Sequence, residues 1–267
     1  VPPDLPPASE AQRSDLAGIV AIGIASARNS WLRRAIRPLA SLLSVLQVEA
    51  AQLGVRGFAE KLEDLEVEPT HAVRVVPERF AGVTSAGADM ARFLEAAQSL
   101  VDLEMAVITQ LDDAARVAEL TAISDEDAVI GYVRVVSPGC CPRCAILAGR
   151  FYRWSTGFLR HPQCRCSMVP VTSRAMADEL AEDPMELWRD GRIRGLTQAE
   201  DRALEEGADL SQLVNVRRRA AGLTVAGRVI DRLERLTPEG IFQLASDRDE
   251  ARRLLVRFGY LTGTIPT

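Results

Sequence analysis

The stretch "GCCPRCAILAGRFYRWSTGFLRHPQCRC", residues 139–166, contains all five cysteines of a 267-residue chain and one of its two histidines. The spacing is Cys141-x2-Cys144-x16-His161-x2-Cys164, with Cys140 just before it and Cys166 just after. Two close pairs separated by 15–20 residues form the zinc pattern of small ribbons and knuckles, here with a histidine in place of one cysteine. A two-residue gap lets a tight turn aim two sulfurs at one tetrahedral ion, and Pro142 helps to hold that turn. The ion then joins pairs that the chain brings in from opposite ends of a loop, contributing on the order of 10 kcal/mol to folding.

Six candidates compete for four positions. Cys141 and Cys144 make one pair and His161 with Cys164 the other. Cys166 can replace either member of the second pair, because Cys164 and Cys166 fall on one side of an extended strand. Cys140 reads as a spare buried thiol. Other chemistries fit less well. A disulfide framework meets an odd cysteine count and no secretory leader. A deaminase needs H-x-E before P-C-x-x-C, yet Ala72 and Val73 follow His71. A cysteine nucleophile needs a histidine base and an orienting partner, and only His161 is near in sequence. No G-x-S-x-G elbow occurs. His71 is read as a surface or packed histidine.

Outward from the cysteines, the period of the sequence changes. "AVIGYVRVV" before them is β-branched and ends in "SPG", the pattern of a strand running into a turn, and "CSMVPV" after them reads as a second strand. Residues 128–172 are therefore a small β-containing Cys/His module of zinc-knuckle type. They are flanked by helical regions over 13–127 and 173–267, with an extended proline-rich arm over 1–12; the fold class is mainly α, α+β overall.

In the first helical region, Ser14 to about Leu65 is expected to break at Pro38, Gly54 and Gly57. The run "LAGIVAIGIASA", Leu16–Ala27, is expected to be a buried helix, too short for the ~20 apolar residues of a membrane span. One long helix is expected from Ala88 to Leu120 on a stripe of Leu94, Ala97, Val101, Met105, Ile108, Leu111, Ala115 and Ala118. In the last region, "TQAE" from Thr197 and "SDRD" from Ser246 fit capping boxes. Thr237–Pro238 fits a helix start and Gly259 a helix stop.

Charge is segmental. Residues 130–172 carry six arginines and no acid, whereas residues 1–129 carry 11 basic against 20 acidic side chains. Arg134, Arg143, Arg150, Arg153, Arg160 and Arg165 thus form a basic island suited either to phosphates or to an acidic protein face. Lys61 is the single lysine among 32 basic residues. The opening "VPPDLPPASE" lacks the basic start of a secretory leader, so the expected location at synthesis is the cytoplasm.

"VSPGCCPRCAILAGRFYRW…RHPQCRCSMVPV" resembles the core of the phage Mu F-like minor head proteins, in which C-x-x-C is followed by H-P-x-C-x-C and a short strand. The matching positions are Cys141, Cys144, His161, Pro162, Cys164 and Cys166. The downstream "GLTQAEDRALEEGADLSQLVNVRRR" and "LTPEGIFQLASDRDEARRLLVRFGYL" also resemble the C-terminal half of these proteins in phages of actinobacteria. The resemblance implies a low-copy, portal-associated minor capsid protein of the virion that assists head assembly and DNA packaging or ejection. Its partners would be the portal protein, the major capsid protein and packaged DNA, with no membrane and no small-molecule substrate. The cofactor would be a structural Zn2+, and the role non-enzymatic. The alternative is a capsid maturation protease of the prohead, with Cys140 as a residue to test; a third reading is a free-standing DNA-binding zinc protein.

Overall fold

The computed structural model describes residues 6–85, 87–154, 164, 166–217, 224–225, 228–229 and 245–257. The chain divides into two compact units, Val1–Val135 with Gly149–Ala181, and Val136–Ala148 with Glu182–Thr267. It is mainly helical, with a small three-stranded antiparallel sheet, an α+β architecture.

The first unit opens with helices α1 (Pro7–Arg33) and α2 (Ile36–Asp64). Helix α1 starts inside the stretch expected to be an extended arm. Pro7 occupies the first helical position, where proline's missing N–H costs nothing, and Ala8 N–H donates to the Asp64 carboxylate at 2.9 Å. Arg34, left-handed at φ 53°, ends α1 and turns the chain into α2.

Helix α2 runs unbroken through all three expected interruptions. Pro38 lies in its first turn, where proline is tolerated. Gly54 and Gly57 lie deep inside the helix because neighbours leave no room for a side chain. A Cβ on Gly54 would stand 2.0 Å from the Ala115 carbonyl oxygen, and one on Gly57 2.6 Å from the Gln12 amide. Helix α2 is also long and apolar enough, by length and composition, to cross a membrane, but half of that apolar window is buried within the fold. Leu39, Leu43 and Leu46 pack there with Ala27, Met90, Leu94, Leu103, Val107 and Leu111.

The expected single helix over 88–120 is two helices, α3 (Met90–Glu95) and α4 (Leu100–Asp125). Asp89 caps the first through Arg92 N–H at 2.9 Å, and the Ser99 hydroxyl caps the second through Asp102 N–H at 3.1 Å. Along the expected stripe Leu111, Ala115 and Ala118 are buried, whereas Val101, in the first turn of α4, is 67% exposed. Leu16–Ala27 is helical as expected, but only Gly23 and Ala27 within it are buried.

Strands β1 (Gly131–Val135), β2 (Phe151–Arg153) and β3 (Ser167–Val171) form the sheet in the order β2-β1-β3, both pairings antiparallel. Central β1 is buried along its whole length, because both faces are covered. Val133, Val135, Val169 and Val171 face Ala177 and Leu180, while Tyr132 and Met168 face Phe58, Leu62 and Ile123. Strand β2, which the sequence reading missed, stacks Tyr152 on Tyr132 with ring centroids 5.4 Å apart. Helix α5 (Pro142–Ala145) lies between β1 and β2 in the chain, and α6 (Arg174–Glu179) follows β3.

The second unit adds α7 (Pro184–Arg189), α8 (Gln198–Glu205), α9 (Leu210–Arg217), the antiparallel two-residue strands β4 (Thr224–Val225) and β5 (Arg228–Val229), and α10 (Arg248–Arg257). The Thr197–Glu200 capping box is present in full. At α10 the cap is shifted by one residue. Asp247 accepts from Glu250 N–H at 2.8 Å while the Glu250 carboxylate returns to Ser246. Within this unit α5 packs against α9, and Cys140 pairs with Ile193 in a parallel bridge. Thr237–Pro238 and Gly259 lie outside the described residues.

Candidate metal centre

No disulfide joins the five cysteines, all of which are among the described residues. The Sγ atoms of Cys144, Cys164 and Cys166 lie within 4.8 Å of one another, a group that can hold a metal ion. Tetrahedral thiolate ligands at ~2.3 Å from zinc would put sulfurs about 3.8 Å apart, so an ion needs only small side-chain adjustments. Cys144 and Cys164 are buried and Cys166 is half-buried.

Local structure explains where each sulfur sits. Cys141 precedes the short helix α5, Pro142 takes its first position, and the N–H groups of Cys144 and Ala145 donate to the Cys141 carbonyl at 2.9 and 3.0 Å. The expected tight turn in "CPRC" is thus one turn of helix, with Cys144 on its last half. The segment carrying it leaves β1 and returns to β2 through a closed register, since Gly149 N–H donates to the Arg134 carbonyl at 2.8 Å and Arg134 N–H to the Arg150 carbonyl at 3.0 Å. Cys164 and Cys166 immediately precede β3. In its register Met168 opposes Arg134, so alternation puts Cys166 on the Arg134 side of the sheet.

Arg134 is the residue whose role changes most. Read as part of a basic surface, it is 1% exposed and unavailable to any macromolecular partner. Its guanidinium donates to Cys164 Sγ at 3.6 Å and to Cys166 Sγ at 3.4 Å. The clue was present in the sequence: in "GYVRVV" a period of two sets Arg134 on the same face as Tyr132, between valines on a strand with no polar face. Burial lowers the pKa of the Arg13 guanidinium on α1, and Glu10 and then Cys166 act in the opposite sense.

The other expected site residues are placed as follows. Cys141 is half-buried and is not in the three-sulfur group among the described residues. Cys140 is buried, with its thiol 3.7 Å from the Arg192 carbonyl. Arg143, Arg150 and Arg153 are exposed, Arg150 with its guanidinium 5.7 Å from the centre of the Tyr152 ring. His161, Pro162, Arg160 and Arg165 lie outside the described residues.

His71 belongs to a latch at the C-terminal end of α4. Its ring nitrogens lie 3.1 Å from the Ala72 carbonyl and 2.9 Å from the Asp125 carbonyl, and Arg74 makes a two-pronged pair with the Asp125 carboxylate. Cationic groups are favoured at that end of a helix. The backbone acceptor of Ala72, followed by that of Asp125, raises the His71 pKa despite some desolvation. Burial pushes the neighbouring Glu126 carboxyl up, but donors from Thr70 and Ala128 outweigh it and leave the pKa below its ordinary value.

No protein-family model, curated protein or solved structure matches this chain.

Proposed function

We propose that the chain is a non-enzymatic minor capsid component of a tailed phage, associated with the portal vertex, in which a structural Zn2+ ties the turns of the β module together. The observation that carries this reading is the convergence of Cys144, Cys164 and Cys166 next to a buried arginine. Sulfurs enclosed in that way serve architecture. A nucleophile for peptide cleavage would instead need an accessible thiol with a base beside it.

Three sulfurs leave one corner of a tetrahedron, and the sequence offers Cys141 and His161 to fill it. The zinc would add cohesion to a segment with little apolar mass of its own. The resemblance of "CPRC" and "HPQCRC" to the Mu F-like motif supplies the phage assignment. Exposed apolar side chains on the helices, including Leu32 at 81% and Val101 at 67%, suit a protein that packs against neighbouring subunits. The exposed Arg143, Arg150 and Arg153 suit an acidic portal face or packaged DNA.

The test is mass spectrometry of purified heads assembled with and without this chain. The proposal expects the chain in wild-type heads at far lower copy than the major capsid protein, with capsid subunits processed normally when Cys140→Ser replaces the wild type. Heads that lack the chain altogether would refute it. Capsid protein left uncleaved by Cys140→Ser would establish the maturation protease in its place.

A further inference from the structure

A guanidinium at 1% exposure in the middle of a sheet needs an explanation. Burying a cation is costly unless a counter-charge and hydrogen-bond acceptors accompany it. The segment around Arg134, residues 130–172, supplies no aspartate or glutamate. It does supply sulfur: the guanidinium reaches Cys164 Sγ at 3.6 Å and Cys166 Sγ at 3.4 Å. The register of β1 with β3 fixes this approach, since Arg134 sits opposite Met168 and shares a face with Tyr132.

Charge counting then narrows what the sulfurs hold. Metal-bound cysteines are thiolates. Three thiolates and a neutral fourth ligand around a divalent ion leave one negative charge in excess, which a single guanidinium cancels, and a fourth thiolate would add one charge for either metal. The same three around Cu+ leave two, of which one stays uncompensated inside a buried site. Soft thiolates by themselves would welcome Cu+ as readily as zinc, so selectivity has to come from outside the ligand set.

We propose that Arg134 is the built-in counter-cation of the cysteine site, donating N–H groups to the ligand sulfurs and biasing the site toward a divalent ion over Cu+. The inference rests on the metal reading above and goes beyond it, because it names the residue that sets the site's charge and metal preference. Arg134 is a positioning residue here: it touches the ligands and leaves the metal to them.

The experiment uses the full chain, anaerobic and reduced, as wild type, Arg134→Met and Arg134→Lys. Zn2+ and Cu+ affinities are measured by competition with chromophoric chelators, and stability of the metal-free and zinc-bound forms by urea titration. Removing an outer-shell partner of this kind typically weakens metal binding by about 10–100-fold, and that loss is expected for zinc in Arg134→Met. The preference between Zn2+ and Cu+ should move toward Cu+ in the same variant. The metal-free Arg134→Met form should lose less stability than the zinc-bound form, because a neutral thiol accepts from the guanidinium more weakly than a thiolate does.

Arg134→Lys keeps the charge with fewer donors, so it should recover part of the zinc affinity and keep the wild-type metal preference. Equal zinc affinity in Arg134→Met and wild type would overturn the inference. So would a variant whose metal-free form is destabilised while its zinc affinity is intact, or a Lys variant whose metal preference shifts as far as that of Met. A wild-type chain that binds neither ion removes the metal reading itself, an outcome visible before any variant is made.

Discussion

The one lysine of the chain sits in the wrong place for a solvated side chain. Lys61 on α2 is 0% exposed, and its ammonium donates to Gln12 Oε1 at 2.7 Å and to the Glu119 carboxylate on α4. Gln12 closes the triangle, donating to Glu119 Oε2 at 3.2 Å and to the Leu53 carbonyl at 3.4 Å. Lys61→Met should cost about 3–5 kcal/mol, the usual consequence of stranding one charge of a buried pair. Glu119→Leu should cost a similar amount, stranding the ammonium. The double variant exchanges both charges for apolar groups and leaves only Gln12 short of partners, a residual cost of about 1–3 kcal/mol. Independent effects would instead add to roughly 6–10 kcal/mol, so the cycle separates the two cases widely. Urea unfolding followed by far-UV circular dichroism measures all four proteins. Since Lys61 carries the only ε-amine of the 267 residues, its acylation rate reports opening of this core directly. Additive single-variant costs, or a Lys61 that acylates at the rate of a free lysine, would refute the buried triad.

Three further outcomes follow from the same geometry. Gly54→Ala should destabilise by about 1–3 kcal/mol in urea despite alanine's better helix propensity, because its methyl would meet the Ala115 carbonyl oxygen. Glu126→Gln should flatten the acid limb of thermal stability. The depressed carboxyl contributes stability that is present above its unfolded pKa and lost as pH falls through its lower folded value, so melts between about pH 3 and 5 show the difference. His71→Ala should act on the opposite limb. A raised histidine pKa contributes stability that is complete below about pH 6.5 and disappears as pH rises through the folded value, and melts from pH 6 to 8 check it.

The elements legible in the sequence were those whose cause is local. "GYVRVV" and "SMVPV" show themselves as strands by β-branching, and "TQAE" announces its capping box through four adjacent residues. Spacing marked the segment that brings Cys144, Cys164 and Cys166 together, whereas Cys141, read as the partner of Cys144, is not in that group. What failed depended on contacts distant in sequence. Gly54 and Gly57 look like breakers until Ala115 and Gln12 are seen to occupy their missing side chains. Pro6 and Pro7 looked like an arm because nothing local foretells the Asp64 carboxylate at the start of α1. Ser99 was overlooked because the stripe of apolar residues continues across the break it creates. Arg134 was placed on the surface by its type, and its burial follows from helices that cover the Tyr132 face of the sheet.

The central claim is that a single ion joins sulfurs from the two ends of the cysteine segment, so the ratio of zinc to chain in the purified protein tests it most directly. Native mass spectrometry of wild type and Cys144→Ser supplies that ratio alongside the charge-state distribution that reports folding. One zinc per wild-type chain is expected, with metal and compactness lost together in the variant. A wild-type chain that is metal-free and fully folded would contradict the account.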